Sequence, residues 1–110
     1  MNKKVPTRIR KLLKELKEGL VSIYRDGLRD IYLYGSYARG DYQQGSDLDI
    51  LIILREYQRY GDEINRTSEL VGNLSLEYGI SVSRVFMTES QWKQSDAPLL
   101  RNIRTEGLPA

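Results

Sequence analysis

The sequence predicts an α/β (α+β) domain, a small mixed β-sheet with helices packed mainly on one face. Three observations predict it. Residues 7–26 and 57–78 carry apolar side chains at helical spacing, and Ile31–Tyr34, Leu48–Leu54 and Ile80–Met87 are short runs of branched and aromatic residues bounded by Gly, Ser or Asn-like turn formers. Strands alternating with helices favour sheet and helix layers around one core. The chain of 110 residues is long enough for one modest core and shows no repeat, low-complexity tract or linker, so residues 1–110 read as a single domain.

The first helix follows from Ile9, Leu12, Leu13, Leu16, Leu20, Ile23 and Tyr24, which form one stripe. Thr7 is its expected cap and Gly27 its stop, while Gly19 inside it costs about 1 kcal/mol relative to alanine. In the second helix, Ile64, Val71, Leu74 and Tyr78 share a face, Arg59, Glu63, Arg66 and Glu69 form an outer surface, and Gly79 ends it. Gly61 and Gly72 are places where it could break. After the third strand, Thr88-Glu89-Ser90-Gln91 reads as a cap before a short helix carrying Trp92. Pro98 opens a last helix, Leu99–Thr105, docked through Leu99, Leu100 and Ile103 with Arg101 and Arg104 outside, and ended by Gly107 and Pro109.

These elements are organised around residues 31–54, IYLYGSYARGDYQQGSDLDILIIL. Asp47 and Asp49 stand at the mouth of the second strand, and an i, i+2 spacing turns both carboxylates to one side. Two neighbouring anions there call for a counter-charge. Mg²⁺ with phosphate completing its oxygen shell supplies one. Gly35 ends the preceding strand where the backbone turns and a ligand can approach closely, and Ser36 is expected to cap a helical turn, Tyr37–Arg39, whose N–H groups face an anion. Tyr42-Gln43-Gln44-Gly45 is a polar turn, expected to be mobile without ligand. Together the two halves suggest a nucleoside triphosphate held through Mg²⁺.

Composition narrows the chemistry. There are no histidines and no cysteines, which excludes histidine general-base catalysis, disulfides and thiolate metal sites and leaves oxygen ligands for any metal. No apolar run approaches the roughly 20 residues of a bilayer span, and MNKKVPTR lacks the apolar stretch of a signal peptide, so a cytoplasmic protein is expected. The net charge of +2 conceals an asymmetry. Residues 1–17 contain seven Lys or Arg against Glu15 alone, which leaves ten basic and fourteen acidic residues elsewhere. That leading segment could touch RNA or an acidic partner. Without interleaved aromatics it reads as a solvated helix face, and direct nucleic-acid binding is not expected.

Gly35-Ser36, Ala38-Arg39-Gly40 and Ser46-Asp47-Leu48-Asp49 resemble the signature of the DNA polymerase β-type nucleotidyltransferase superfamily. The short chain and the GSYARG…GSDLD form resemble its minimal branch, the MNT proteins of HEPN–MNT toxin–antitoxin pairs. The resemblance implies the polymerase β-type fold, with Asp47 and Asp49 as catalytic metal ligands for Mg²⁺. It implies that Gly35 and Ser36 bind the β- and γ-phosphates of ATP, with Ser46 and Arg39 beside the nucleotide; a structural ion pair to Asp41 or another acid is the alternative for Arg39. It further implies AMP transfer to a hydroxyl, with tyrosine the family's acceptor, on a HEPN-type ribonuclease toxin within a hetero-oligomer.

The match departs at the third carboxylate of that superfamily. The strand that should carry it reads Ile80-Ser81-Val82-Ser83-Arg84-Val85-Phe86, with Ser81 and Ser83 on one face and Glu89 beyond its end. Two readings therefore stand: an adenylyltransferase antitoxin, or a nucleotide-binding adaptor that neutralises its partner by contact alone. Transfer onto tRNA or a small molecule would call for an acceptor-binding domain that the chain gives no sign of.

Overall fold

The structure is a computed structural model that describes residues 5–110; Lys3 and Lys4 of the basic segment lie outside the described residues. Helix α1 (Thr7–Tyr24) leads through a 3-10 turn (Arg25–Gly27) into β1 (Leu28–Tyr34), then α2 (Ser36–Arg39), β2 (Leu48–Leu54), α3 (Tyr60–Tyr78), β3 (Val82–Thr88), α4 (Glu89–Gln94), α5 (Pro98–Glu106) and β4 (Leu108–Pro109). The sheet order is β3-β2-β1-β4. β2 runs antiparallel to β1 and parallel to β3, and β4 runs antiparallel to β1, so the sheet is mixed.

β2 is central and covered on both faces, which explains why it is apolar at every position but Asp49. Leu48, Ile50, Ile52 and Leu54 face the main core with Leu12, Leu16 and Leu20 of α1 and Val71 and Leu74 of α3. Leu51 and Ile53 face the other side, against Leu100 and Ile103 of α5. The two long helices thus lie on one face, and the short α4 and α5 partly cover the second. Gly19 sets the spacing between α1 and α3: a Cβ there would come within 2.5 Å of Leu70 Cδ1. The residue that weakens α1 as a helix is the one that lets it approach its neighbour. Arg84 of β3 pins α3 to the sheet, donating to the Thr67 hydroxyl at 2.8 Å and the Ile64 carbonyl at 2.9 Å.

Several boundaries differ from the sequence reading, each for a local reason. Pro6, not Thr7, is the α1 cap residue; Thr7 is already helical, and its hydroxyl accepts from Arg10 at 3.0 Å. The helix ends two residues before the expected 26, at Tyr24, because Arg25 takes φ +51° and turns the chain into β1. β1 begins three residues early, since Leu28 and Asp30 pair with β2 across an irregularity at Arg29, although Arg29 and Asp30 are exposed. α3 begins at Tyr60 and runs unbroken through Gly61 and Gly72 to a left-handed Gly79. Glu63, expected on its outer surface, is buried and accepts a hydrogen bond from the Tyr24 hydroxyl. Thr88 and Gln91 form the expected capping box. α5 docks through Leu100 and Ile103, whereas Leu99 in its first turn stays 43% exposed. Beyond Gly107 the chain adds a strand that was not anticipated, β4, which pairs with Tyr32 and Leu33. No helix among the described residues is long and apolar enough to cross a membrane.

Candidate active site

The site forms where β1 ends and β2 begins, because the antiparallel register sets Tyr34 opposite Asp49. Gly35 follows at φ +75° and ψ −157°, a backbone region essentially reserved for glycine. An ideal Cβ on Gly35 would lie 2.3 Å from Asp49 Oδ2. The turn that opens α2 and the carboxylate of β2 therefore share one small volume, and only an absent side chain permits it.

Gly35 is also the cap residue of α2. Its carbonyl accepts from the N–H groups of Ala38 and Arg39, both at 3.1 Å. Ser36, expected as the cap, is instead the first helical residue and makes no capping bond with its side chain. Its backbone N–H and that of Tyr37 open the turn, where helices have no internal acceptor to offer. Tyr37 and Ala38 are buried and root α2 in the main core. Gly40 closes it with φ +93°.

Asp49 lies within β2 and is half-buried, on the same face as Leu51 and Ile53. Asp47 precedes the strand and is exposed, so strand alternation governs Asp49 alone. The two charges still meet: burial first, then the Asp47 charge, push the Asp49 carboxyl up, while Arg39 opposes them. A half-buried carboxylate thus stands beside a second, exposed one, with a turn of backbone N–H groups next to them.

Arg39 pairs with Asp41 and with Glu106, each at 3.2 Å. The ion-pair alternative is thus what the geometry contains, and the second partner, from α5, carried no signal in the sequence. Ser46 closes the loop before Asp47: its hydroxyl accepts from the Gln43 N–H at 2.9 Å, and its own N–H donates to the Gln43 carbonyl at 3.0 Å. Tyr42 stacks on Tyr37 with ring centroids 4.4 Å apart, tethering the start of that loop. A groove of about 320 Å³ adjoins it, with Arg8, Tyr37, Ser46 and Ser81 in its walls.

The parallel register sets Ser83 directly beside Asp49. Ser81 lies outside β3, and its carbonyl accepts from Leu48 N–H at 2.8 Å. Glu89 starts α4, six residues beyond Ser83 and roughly 20 Å along the strand direction, and pairs there with Arg29 and Lys93. Among the described residues, no group of three or more acidic side chains is gathered to hold a metal ion. Asp47 and Asp49 are the two carboxylates at the head of β2. A larger cavity of about 420 Å³, with Tyr24, Glu63 and Arg66 in its walls, lies past the opposite end of β2 and takes no part in this arrangement.

Residues 9–109 match the nucleotidyltransferase domain family. The chain is 36% identical over 99 residues to a Methanocaldococcus jannaschii protein named "Putative protein adenylyltransferase MJ0604", covering 88% of this chain and 92% of that one. Two solved structures share the fold. A "putative nucleotidyltransferase" from Sulfolobus solfataricus superposes with a TM-score of 0.64 at 24% identity, over 93% of this chain and 80% of its own. A chain of a complex described as tri-AMPylated Shewanella oneidensis HEPN toxin with MNT antitoxin superposes with a TM-score of 0.51 at 20% identity, over 89% and 70%. With the glycine turn and the Asp47–Asp49 strand head set against each other inside that matched span, the chain belongs to the nucleotidyltransferase domain family.

Proposed function

We propose that this chain is one minimal domain that moves AMP from ATP, with Mg²⁺, onto a hydroxyl of a partner protein, a tyrosine of a HEPN-type toxin, and that it serves as the cytoplasmic antitoxin of that pair. The observation that carries the reading is the Gly35–Asp49 approach, which sets a backbone anion cradle against a repelling carboxylate pair. Its biological setting draws on the relative named as a protein adenylyltransferase and on the structural neighbour described as an AMPylated HEPN toxin with its MNT antitoxin.

Asp47 and Asp49 fit Mg²⁺ as two hard oxygen donors whose mutual repulsion a divalent ion relieves, with phosphate and water left to complete the shell. When bound, that ion supplies positive charge against the phosphates. Gly35 and the opening N–H groups of α2 hold the β- and γ-phosphates, and Ser46 fixes the loop that delivers Asp47. Arg39 adds charge at the same end of the sheet while anchoring α2 to Glu106. Transfer forms a bond from the acceptor oxygen to the α-phosphorus and breaks the bond to the pyrophosphate that leaves. Positioning and fixed charge carry the rate, with no covalent enzyme intermediate. Ser83 stands where an acid would take the acceptor proton, so that proton passes to water or to a group of the partner.

The same serine favours a second reading, a nucleotide-binding adaptor that silences its partner by contact. Incubation with α-labelled ATP, Mg²⁺ and lysate of the source cell, wild type beside Asp47→Ala/Asp49→Ala, separates the two. A labelled protein band made only by the wild type supports transfer and displays the acceptor. ATP binding without any band supports the adaptor.

A further inference from the structure

Helix α1 has a second character on the side turned from the core. Arg10, Lys14, Lys17 and Val21 are spaced by four, three and four residues, which on a helix is one straight stripe, and all four are exposed. Among the described residues, none of the three cations has a carboxylate within ion-pair reach. Like charges at these spacings repel one another, so the stripe weakens the isolated helix rather than bracing it.

Below the stripe, two shallow grooves of about 250 and 210 Å³ meet end to end, sharing Lys17 and Ala110. Leu13 and Ala110 give the first an apolar floor, which the lysine methylenes extend upward, whereas the second sets Arg29 and Asp30 beside Val21, Leu28 and Ile31. Along Arg10, Lys14 and Lys17 the combination is a carbon-lined trough with a cationic rim, and Asp30 stands beyond its far end. It runs on the face of the sheet that α1 covers, whereas Asp49 projects from the other face with Leu51 and Ile53.

We infer that this trough is a docking surface for an acidic, partly apolar segment of a partner protein. From Arg10 to Val21 the helix rises eleven steps, about 16 Å, room for about five residues of extended chain. Alternate apolar side chains of such a segment fill the floor while the intervening carboxylates meet Arg10, Lys14 and Lys17. The phosphate backbone of RNA would satisfy the rim and leave the floor wet, and the stripe has no aromatic side chain on which a base could stack. The surface goes beyond the transfer chemistry and does not depend on it, since an occupant leaves the Gly35–Asp49 face open.

The test is an amide-spectrum titration of isotope-labelled protein with a short synthetic peptide alternating Glu and Leu, at low and at physiological salt. The expected result is shifts concentrated at Leu13, Lys14, Lys17 and Ala110, weaker affinity at the higher salt, and at least about a tenfold loss in Lys14→Glu/Lys17→Glu. Lys93→Glu, on α4, serves as the control and retains binding. Lys14→Gln/Lys17→Gln, which removes the charge without reversing it, gives a smaller loss and guards against a folding defect. Absence of shifts, shifts mapping elsewhere, unchanged affinity in the reversed variant, or tighter binding of oligouridine than of the peptide along the same residues would each overturn the inference.

Discussion

The Asp49 carboxylate fills the space that a side chain on Gly35 would need, with Oδ2 2.3 Å and Cγ 3.2 Å from an ideal Cβ at that position. The turn that follows β1 and the Asp49 side chain of β2 thus share one small volume. Gly35→Ala should cost about 1–3 kcal/mol for its backbone conformation alone, and it should displace the Asp49 carboxylate. The expected outcome is a lowered melting temperature with the fold kept and a severe loss of Mg²⁺-dependent ATP binding, read by calorimetry. ATP affinity equal to wild type would show that the close approach is not what builds the site.

Asp49→Asn separates function from stability in the opposite direction. Burial and Asp47 raise the Asp49 carboxyl in the folded state, so the ionised form is the less comfortable one there. A group raised on folding contributes stability below its unfolded pKa and loses it as pH climbs through the folded value. At neutral pH the charge is therefore a liability, and the amide should hold or raise the melting temperature while abolishing Mg²⁺-dependent ATP binding. A variant that loses stability at pH 7 would contradict the electrostatic account.

Ser83 stands beside Asp49 in the parallel β2–β3 register, on the face shared with Tyr34. A carboxylate introduced there would join Asp47 and Asp49. Ser83→Asp is expected to raise the rate of AMP transfer at saturating ATP by accepting the proton of the attacking hydroxyl, an effect of about 10²-fold where general-base catalysis is complete. No gain with ATP binding intact would place the proton acceptor on the partner or in water.

How far these relationships could be read from the chain depends on the range of the forces that set them. β2 was legible to its ends, Leu48 and Leu54, because a strand buried on both faces is apolar along nearly all its length, Asp49 being the one exception. The period-two alternation put Ser83 and Ser81 on one face, but only the tertiary register decides that Ser83, not Ser81, meets Asp49. The Asp47–Asp49 pair was legible as a motif, although Asp47 proves to lie ahead of the strand. β4 left no pattern to read, being two residues, one a proline, on an edge where a missing N–H is tolerated. Arg39 finds Glu106 67 positions away, a contact that local spacing cannot encode.

Glu63 is the clearest case of tertiary context overriding a local reading, and it yields a test of stability. Helical spacing set it on an outer surface with Arg59, Arg66 and Glu69. In the fold it is 6% exposed, and Oε1 accepts from the Tyr24 hydroxyl at 2.8 Å and meets Arg66 at 3.2 Å. Burial and the hydrogen bond to Glu63 push the Tyr24 phenol well above its ordinary range, so it stays a donor at every physiological pH. Glu63→Ala leaves that hydroxyl without its acceptor and should destabilise the protein by about 1–3 kcal/mol. Glu63→Gln keeps an oxygen for Tyr24 and should cost less. Because the phenol is raised on folding, its contribution is complete below about pH 10, the ordinary tyrosine value, and declines as alkaline pH approaches the folded one. Denaturant unfolding of wild type and Tyr24→Phe at pH 7 and at alkaline pH checks this: the gap between them should narrow as the medium becomes more alkaline. A constant gap would mean that packing of the Tyr24 ring, rather than its proton, holds α3 against α1.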